Sequence, residues 1–175
     1  MFACRLNIMI LDVINGYDRD LIDKISKLGF SRVLCEDDGH KIYDPSDKEP
    51  FPLSTYAGKE SEAAIRKGKA DVITDTDRNG FLLNKGLCSK LKENNMFVLF
   101  KFSSLINSDN FFGTYKNFLI NGKMCNQYSV DCLFVSFSAK EADIKSPTQL
   151  AYFARQFGYN YKNFIKAQED LLKRI

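Results

Sequence analysis

The chain's apolar positions follow two alternating rhythms. Residues 5–13 are a near-continuous apolar run, the pattern of a strand covered on both faces. Leu21, Ile22, Ile25 and Leu28 then fall on one face of a helix that Asp18 or Asp20 can cap and Gly29 can end. Residues 30–35 read as a second strand, so strand, helix and strand succeed one another as a βαβ unit. Residues 36–58 break the rhythm. They hold Pro45, Pro50, Pro52 and many acids, and read as a long surface loop. A short helix over residues 59–67 closes at Gly68, and residues 71–74 form a short buried strand. A helix runs from Leu82 or Asn84 to Glu93 with Leu83, Leu87 and Leu91 in line, and residues 96–102 form the clearest strand after the first. Residues 110–120 predict a helix with Phe111, Tyr115 and Phe118 inward, and residues 132–136 another buried strand.

The C-terminal end carries the strongest local signals. Ser146 is an N-cap, Pro147 occupies the first helical position and Gln149 completes a capping box. Leu150, Phe153, Ala154 and Phe157 repeat at helical spacing until Gly158. Asn160 caps a last helix whose buried side is Phe164, Ala167, Leu171 and Ile175. About five strands, each followed by a helix or an insertion, imply an α/β domain spanning residues 1–175 with a mainly parallel sheet. Two closures are open: a doubly wound sheet, or a small, incomplete (β/α) barrel of the TIM type, since a full barrel takes about 250 residues.

Composition narrows the function. The 175 residues are 45% hydrophobic and 27% charged, as in a folded globular chain. The apolar start has no basic lead and no clear cleavage site, and reads as a core strand in a cytoplasmic protein with no membrane partner. Net charge is only +3, but it is uneven: residues 1–50 hold 7 basic and 10 acidic side chains, residues 51–175 hold 18 and 12. An anionic partner is therefore expected to meet the later part of the chain. Five cysteines (4, 35, 88, 125 and 132) without a CxxC pair argue against a disulfide framework or a zinc site. Cys4, Cys35 and Cys132 read as core. His40, the single histidine, lies in an acidic loop, so neither a Ser-His nor a multi-His centre is expected. Dinucleotide and P-loop glycine motifs are absent from the sequence.

In either closure, function collects at the C-terminal ends of the strands. Those ends hold Asp12, Asn15 and Gly16; Asp75, Asp77 and Arg78; Lys101, Ser103 and Ser104; and Ser136, Ser138, Lys140 and Lys145. Asp12, Asp75 and Asp77 are possible magnesium ligands, although turns and caps also favour Asp. Lys101 and Ser103, two apart on a strand, are expected on one face. Lys140 and Lys145 bracket the turn into the Ser146-capped helix, whose amino end suits phosphate, with Ser138 in support. The segment Arg66-Lys67-Gly68-Lys69 adds a smaller basic patch.

Residues 69–175 resemble the protein component 3 family of ribonuclease P, the archaeal counterpart of the thirty-kilodalton subunit of the nuclear enzyme. The resemblance rests on the strand Ala70-Asp71-Val72-Ile73-Thr74, the helix and turn from Leu83 to Met96, the strand from Phe100 to Ile106, and the closing pattern of Ser136 to Ala139, Lys145-Ser146-Pro147, Leu150, Ala151 and Gly158. Departures are Ser103 and Lys145 where the family has Arg, and Phe137 and Ser138 within the Ser-Ser-Gly-Ala motif. Lys lacks the planar fork of Arg, so phosphate contacts would be less directional.

The resemblance implies a small barrel related to the polymerase and histidinol phosphatase type, with no catalytic residues and no cofactor of its own. Catalysis would belong to the ribonuclease P RNA and its magnesium, removing the 5′ leader of precursor tRNA. Partners would be that RNA, precursor tRNA, protein component 2 and the other ribonuclease P proteins. Lys101, Ser103, Arg78, Lys85, Ser138, Lys140, Lys145 and Ser146 are the expected RNA contacts, and Tyr159 or Tyr161 the exposed aromatics expected against a protein partner. The rivals are a free-standing phosphoesterase or lyase with magnesium on Asp12, Asp75 and Asp77, and a structural subunit that touches only protein.

Overall fold

A computed structural model describes residues 11–36, 41–43, 45, 53–57, 60–74 and 81–174. In chain order the elements are β1 (Leu11–Asn15), α1 (Arg19–Lys27), β2 (Arg32–Glu36), β3 (Lys41–Tyr43), β4 (Leu53–Ala57), α2 (Glu60–Lys67), β5 (Val72–Thr74), α3 (Lys85–Glu93), β6 (Phe97–Lys101), α4 (Phe102–Ile106), α5 (Phe111–Gln127), β7 (Cys132–Val135), α6 (Pro147–Gln156) and α7 (Tyr161–Leu172), with a 3-10 turn at Glu141–Asp143. The strands lie side by side in sequence order, β1 through β7. A parallel bridge between Ile14 and Ser138 brings the first strand back toward the last. The sheet is thus a nearly closed, TIM-barrel-like barrel, which decides between the two closures the sequence left open.

The described residues form seven strands where about five were expected. The two extra ones, β3 and β4, lie inside residues 36–58, which read as a loop. They pair antiparallel with β2 and with each other, while the other four neighbouring pairs are parallel. Ile42 and Leu53 are buried and anchor them to the barrel. Three- and five-residue strands flanked by prolines and acids give too few alternations to stand out as a period.

α5 also runs seven residues past its expected end at 120. Asn121 and Gly122 look like a stop, yet both are recruited by packing. Asn121 Oδ1 accepts from the Leu83 N–H (2.8 Å) and its Nδ2 donates to the Phe81 carbonyl (3.0 Å), tying the approach to α3 onto α5. Gly122 lies flat against Phe157, where a Cβ would come within 2.8 Å of the Phe157 Cβ. Of the inward residues expected on α5, Phe118 is buried, Tyr115 half-buried and Phe111 exposed.

Alternation along the strands sorts the core into two layers. Val13, Leu34, Ile42, Leu53, Val72, Phe97, Leu99, Leu133 and Val135 point into the barrel, where Ala167 and Leu171 of α7 join them. Ile14, Val33, Cys35, Ile73, Val98, Phe100 and Phe134 point outward to the helices. The outer layer is strongly aromatic: Phe134 stacks on Phe100 (5.1 Å between centroids) and on Phe157 (5.5 Å), and Phe153 meets Phe157 edge-on (5.0 Å). Each such ring removed from water contributes about 1.5–3 kcal/mol.

The seam between β1 and β7 is not a regular ladder but a set of side-chain stitches. Gln168 of α7 accepts from the Leu11 N–H (2.8 Å). Asp12 Oδ1 accepts from the Val13 N–H (2.9 Å) and across the gap from the Ser136 N–H (2.7 Å). Asn15 N–H then reaches the Ser138 carbonyl (3.3 Å). Side chains thus satisfy edge-strand groups that would otherwise be left open.

Candidate functional site

At the C-terminal mouth the inward register turns from apolar to polar. The positions that follow Leu34, Leu53, Val72 and Leu99 on the inner face are Glu36, Thr55, Thr74 and Lys101, all buried. Lys101 Nζ pairs with Glu36 Oε2 at 2.9 Å, and Thr55 Oγ1 donates to Glu36 Oε1 at 3.2 Å. β2 and β6 are separated by three strands, so this ion pair spans the barrel interior. Phe137 lies over it, with Lys101 Nζ 3.7 Å from the ring centroid. Phe137 adopts a φ of 52°, which is costly for an aromatic residue and aims its ring back across the mouth.

This geometry revises the expectation for Lys101. Its side chain is 7% exposed, and its charge is neutralised inside the barrel rather than offered at the rim. Ser103 is also buried, its N–H bound to the Ser136 carbonyl (3.0 Å). It lies in the first turn of α4 instead of continuing β6 beside Lys101. Ser138 is fully buried; its carbonyl stitches the seam and its hydroxyl has no partner among the described residues.

The connection from β7 to α6 carries the accessible cations. Ser136 Oγ accepts from the Lys145 N–H (2.9 Å) and holds the connection to the strand end. Lys145 Nζ donates to the carbonyls of Ala142 (3.3 Å) and Ile144 (3.4 Å) and lies 5.2 Å from the Phe102 ring centroid. Lys140 is exposed at the start of the 3-10 turn. Neither lysine has a carboxylate partner among the described residues. Ser146 forms the expected capping box with Gln149. Lys85 is exposed at the first position of α3, whose cap, Asn84, accepts from the Leu87 N–H (3.0 Å). Because α3 and α6 both follow strand ends, Lys85, Lys140, Lys145 and Ser146 share the mouth side of the barrel. Arg78 lies outside the described residues.

Of the possible magnesium ligands, Asp75 and Asp77 lie outside the described residues, as do His40 and Cys4. Asp12 has a structural task at the seam. Complete burial pushes its carboxyl up to about 7, while donors from Ser136, Val13 and Phe137 pull the other way. Its Oδ2 has no partner among the described residues. Among those residues no three or more His, Cys, Asp or Glu side chains are grouped to hold a metal ion, and no helix is long and apolar enough to cross a membrane. Tyr159 is buried, contrary to expectation, with its hydroxyl donating to the Val130 carbonyl (3.0 Å). Tyr161 is 52% exposed.

No protein-family model and no curated protein sequence matches the chain. A solved structure does. The chain is similar in fold to a chain of the cryo-EM structure of archaeal ribonuclease P with mature tRNA. The match covers 94% of this chain and 84% of that one, with a TM-score of 0.59 and 14% sequence identity. Over nearly its whole length, then, the barrel has a counterpart in a solved structure, although few residue identities are shared.

The set formed by the buried Glu36 and Thr55 and the half-buried Phe137 escaped the sequence reading. Glu36 is the one member with a legible signal: an acid at the end of a buried strand, placed to meet the lysine that ends another. The Phe137 turn had none, since a left-handed aromatic residue contradicts local preference.

Proposed function

We propose that the chain is a protein subunit of ribonuclease P that assists the catalytic RNA in removing the 5′ leader from precursor tRNA. The observation that carries the reading is the likeness, over 94% of the chain, to a chain of archaeal ribonuclease P solved with mature tRNA. The ordered motifs of residues 69–175 support it independently, as does the basic balance of residues 51–175. RNA phosphates meet the mouth side through Lys85, Lys140 and Lys145. Arg78 joins them by its place after β5, and Ser146 supports them at the amino end of α6. Such contacts neutralise phosphates and release counterions, giving affinity without reading bases. Lys101, Ser103 and Ser138 act from below: they hold the strand ends that carry the contacts. Catalysis and its magnesium belong to the RNA, and the protein partners are protein component 2 and the other ribonuclease P proteins.

The test is reconstitution with ribonuclease P RNA and the remaining proteins, with and without this chain. Precursor tRNA cleavage should fall when the chain is omitted. Equal cleavage with and without it contradicts the reading, as does metal-dependent hydrolysis of small phosphate esters by the chain alone.

A further inference from the structure

The exposed side of α6 bears Thr148, Ala151, Tyr152 and Arg155, spaced at i, i+3, i+4 and i+7 opposite its buried stripe of Leu150, Phe153 and Ala154. With Asn160 and Tyr161 at the start of α7 these residues line a groove of about 400 Å³, within the range that holds small ligands. Two tyrosines, 62% and 52% exposed, stand in it. The Arg155 guanidinium has no hydrogen bond or ion pair among the described residues. Charge selects the occupant. From Ile144 to Gln168 the chain contains Lys145, Arg155, Lys162 and Lys166 and no Asp or Glu. An acid-free stretch of this kind, folded into one helix pair around two exposed tyrosines and an unpaired guanidinium, suits an anionic chain that carries flat rings. Aromatic side chains stack on unpaired bases, while Arg can stack or bind phosphate.

We propose that the groove between α6 and α7 binds unpaired RNA nucleotides, with bases stacking on Tyr152 and Tyr161 and Arg155 holding the adjoining phosphate or base. The proposal rests on the RNA-binding role above and adds to it a preference for single strands. The mouth-side lysines neutralise phosphates of any RNA, whereas the groove admits a base only where it is free of a partner. The stripe begins two residues beyond Ser146, so a strand held at Lys145 continues along α6 into the groove.

The test is fluorescence anisotropy at low salt with the full chain, a labelled uridine decamer and a fully paired, blunt-ended RNA duplex. Tyr152→Ala, Tyr161→Ala and Arg155→Gln should each weaken decamer binding by about tenfold, the scale of one lost base stack. Tyr152→Phe, which keeps the ring, should bind as the parent does. Duplex affinity should stay unchanged in the tyrosine variants, and circular dichroism should show intact folding at these exposed positions. Parent-level decamer binding by the alanine variants, or equal loss on decamer and duplex, overturns the groove assignment while leaving the RNA-binding reading in place. Loss of a co-purifying protein with RNA binding untouched assigns the groove to protein and overturns the proposal. Absence of RNA binding by the parent chain in both probes overturns the groove and the broader reading together.

Discussion

Asp12 makes the seam of the barrel sensitive to pH. Its carboxyl titrates near 3.8 in the unfolded chain and near 7 in the folded one, because burial penalises the charged form. Between these values the folded chain keeps a proton that the unfolded chain has released, so stability falls as pH rises through the window. Below pH 3.8 both states are protonated and the contribution is fully present; above about 7 it is lost and the curve levels. At about 1.4 kcal/mol for each unit, the whole effect is on the order of 4 kcal/mol. Asp12→Asn keeps an oxygen for the Val13 and Ser136 N–H groups and removes the titration. Urea unfolding of both proteins between about pH 4.5 and about pH 8 should show the variant gaining on the parent steadily as pH rises to about 7, while other carboxylates cancel in the difference. Asp12→Ala, which abandons both N–H groups, should lose about 1–3 kcal/mol for each at the acid end. A stability of the Asn variant minus that of the parent that stays flat with pH, or falls as pH rises, would refute the reasoning.

Three further outcomes follow from the same geometry. Lys101→Met strands the Glu36 carboxylate inside the barrel and should cost about 3–5 kcal/mol by urea unfolding, whereas Lys101→Met with Glu36→Leu should recover most of that loss. Gly122→Ala forces a Cβ against Phe157 and should cost about 1–3 kcal/mol, read as a lowered unfolding midpoint. Lys140→Gln with Lys145→Gln should weaken binding to ribonuclease P RNA and reduce the slope of log affinity against log salt by about 1.5, without changing the unfolding midpoint by more than about 0.5 kcal/mol.

The legible parts of the chain were those where local chemistry and global packing agree. Asp18, Asn84, Ser146 and Asn160 all cap the helices their sequence contexts suggest. The continuous apolar runs became β6 and β7, paired in parallel. The reading failed where tertiary packing overrides local preference. β3 and β4 are too short to show a period, and Gly122 lies mid-helix because Phe157 needs its surface. Phe137 accepts a left-handed backbone to cover Lys101. The site was half visible for a similar reason. Lys140, Lys145 and Ser146 lie in one short connection and announce themselves. The Lys101–Glu36 pair joins residues 65 apart in sequence, and only barrel closure shows that this lysine faces an acid.

Purification of the tagged chain from its own cells, followed by sequencing of the bound RNA and assay of the eluate on precursor tRNA, tests the central claim most directly. The account predicts enrichment of ribonuclease P RNA together with removal of the 5′ leader. An eluate that is free of that RNA and leaves precursor tRNA intact would contradict it.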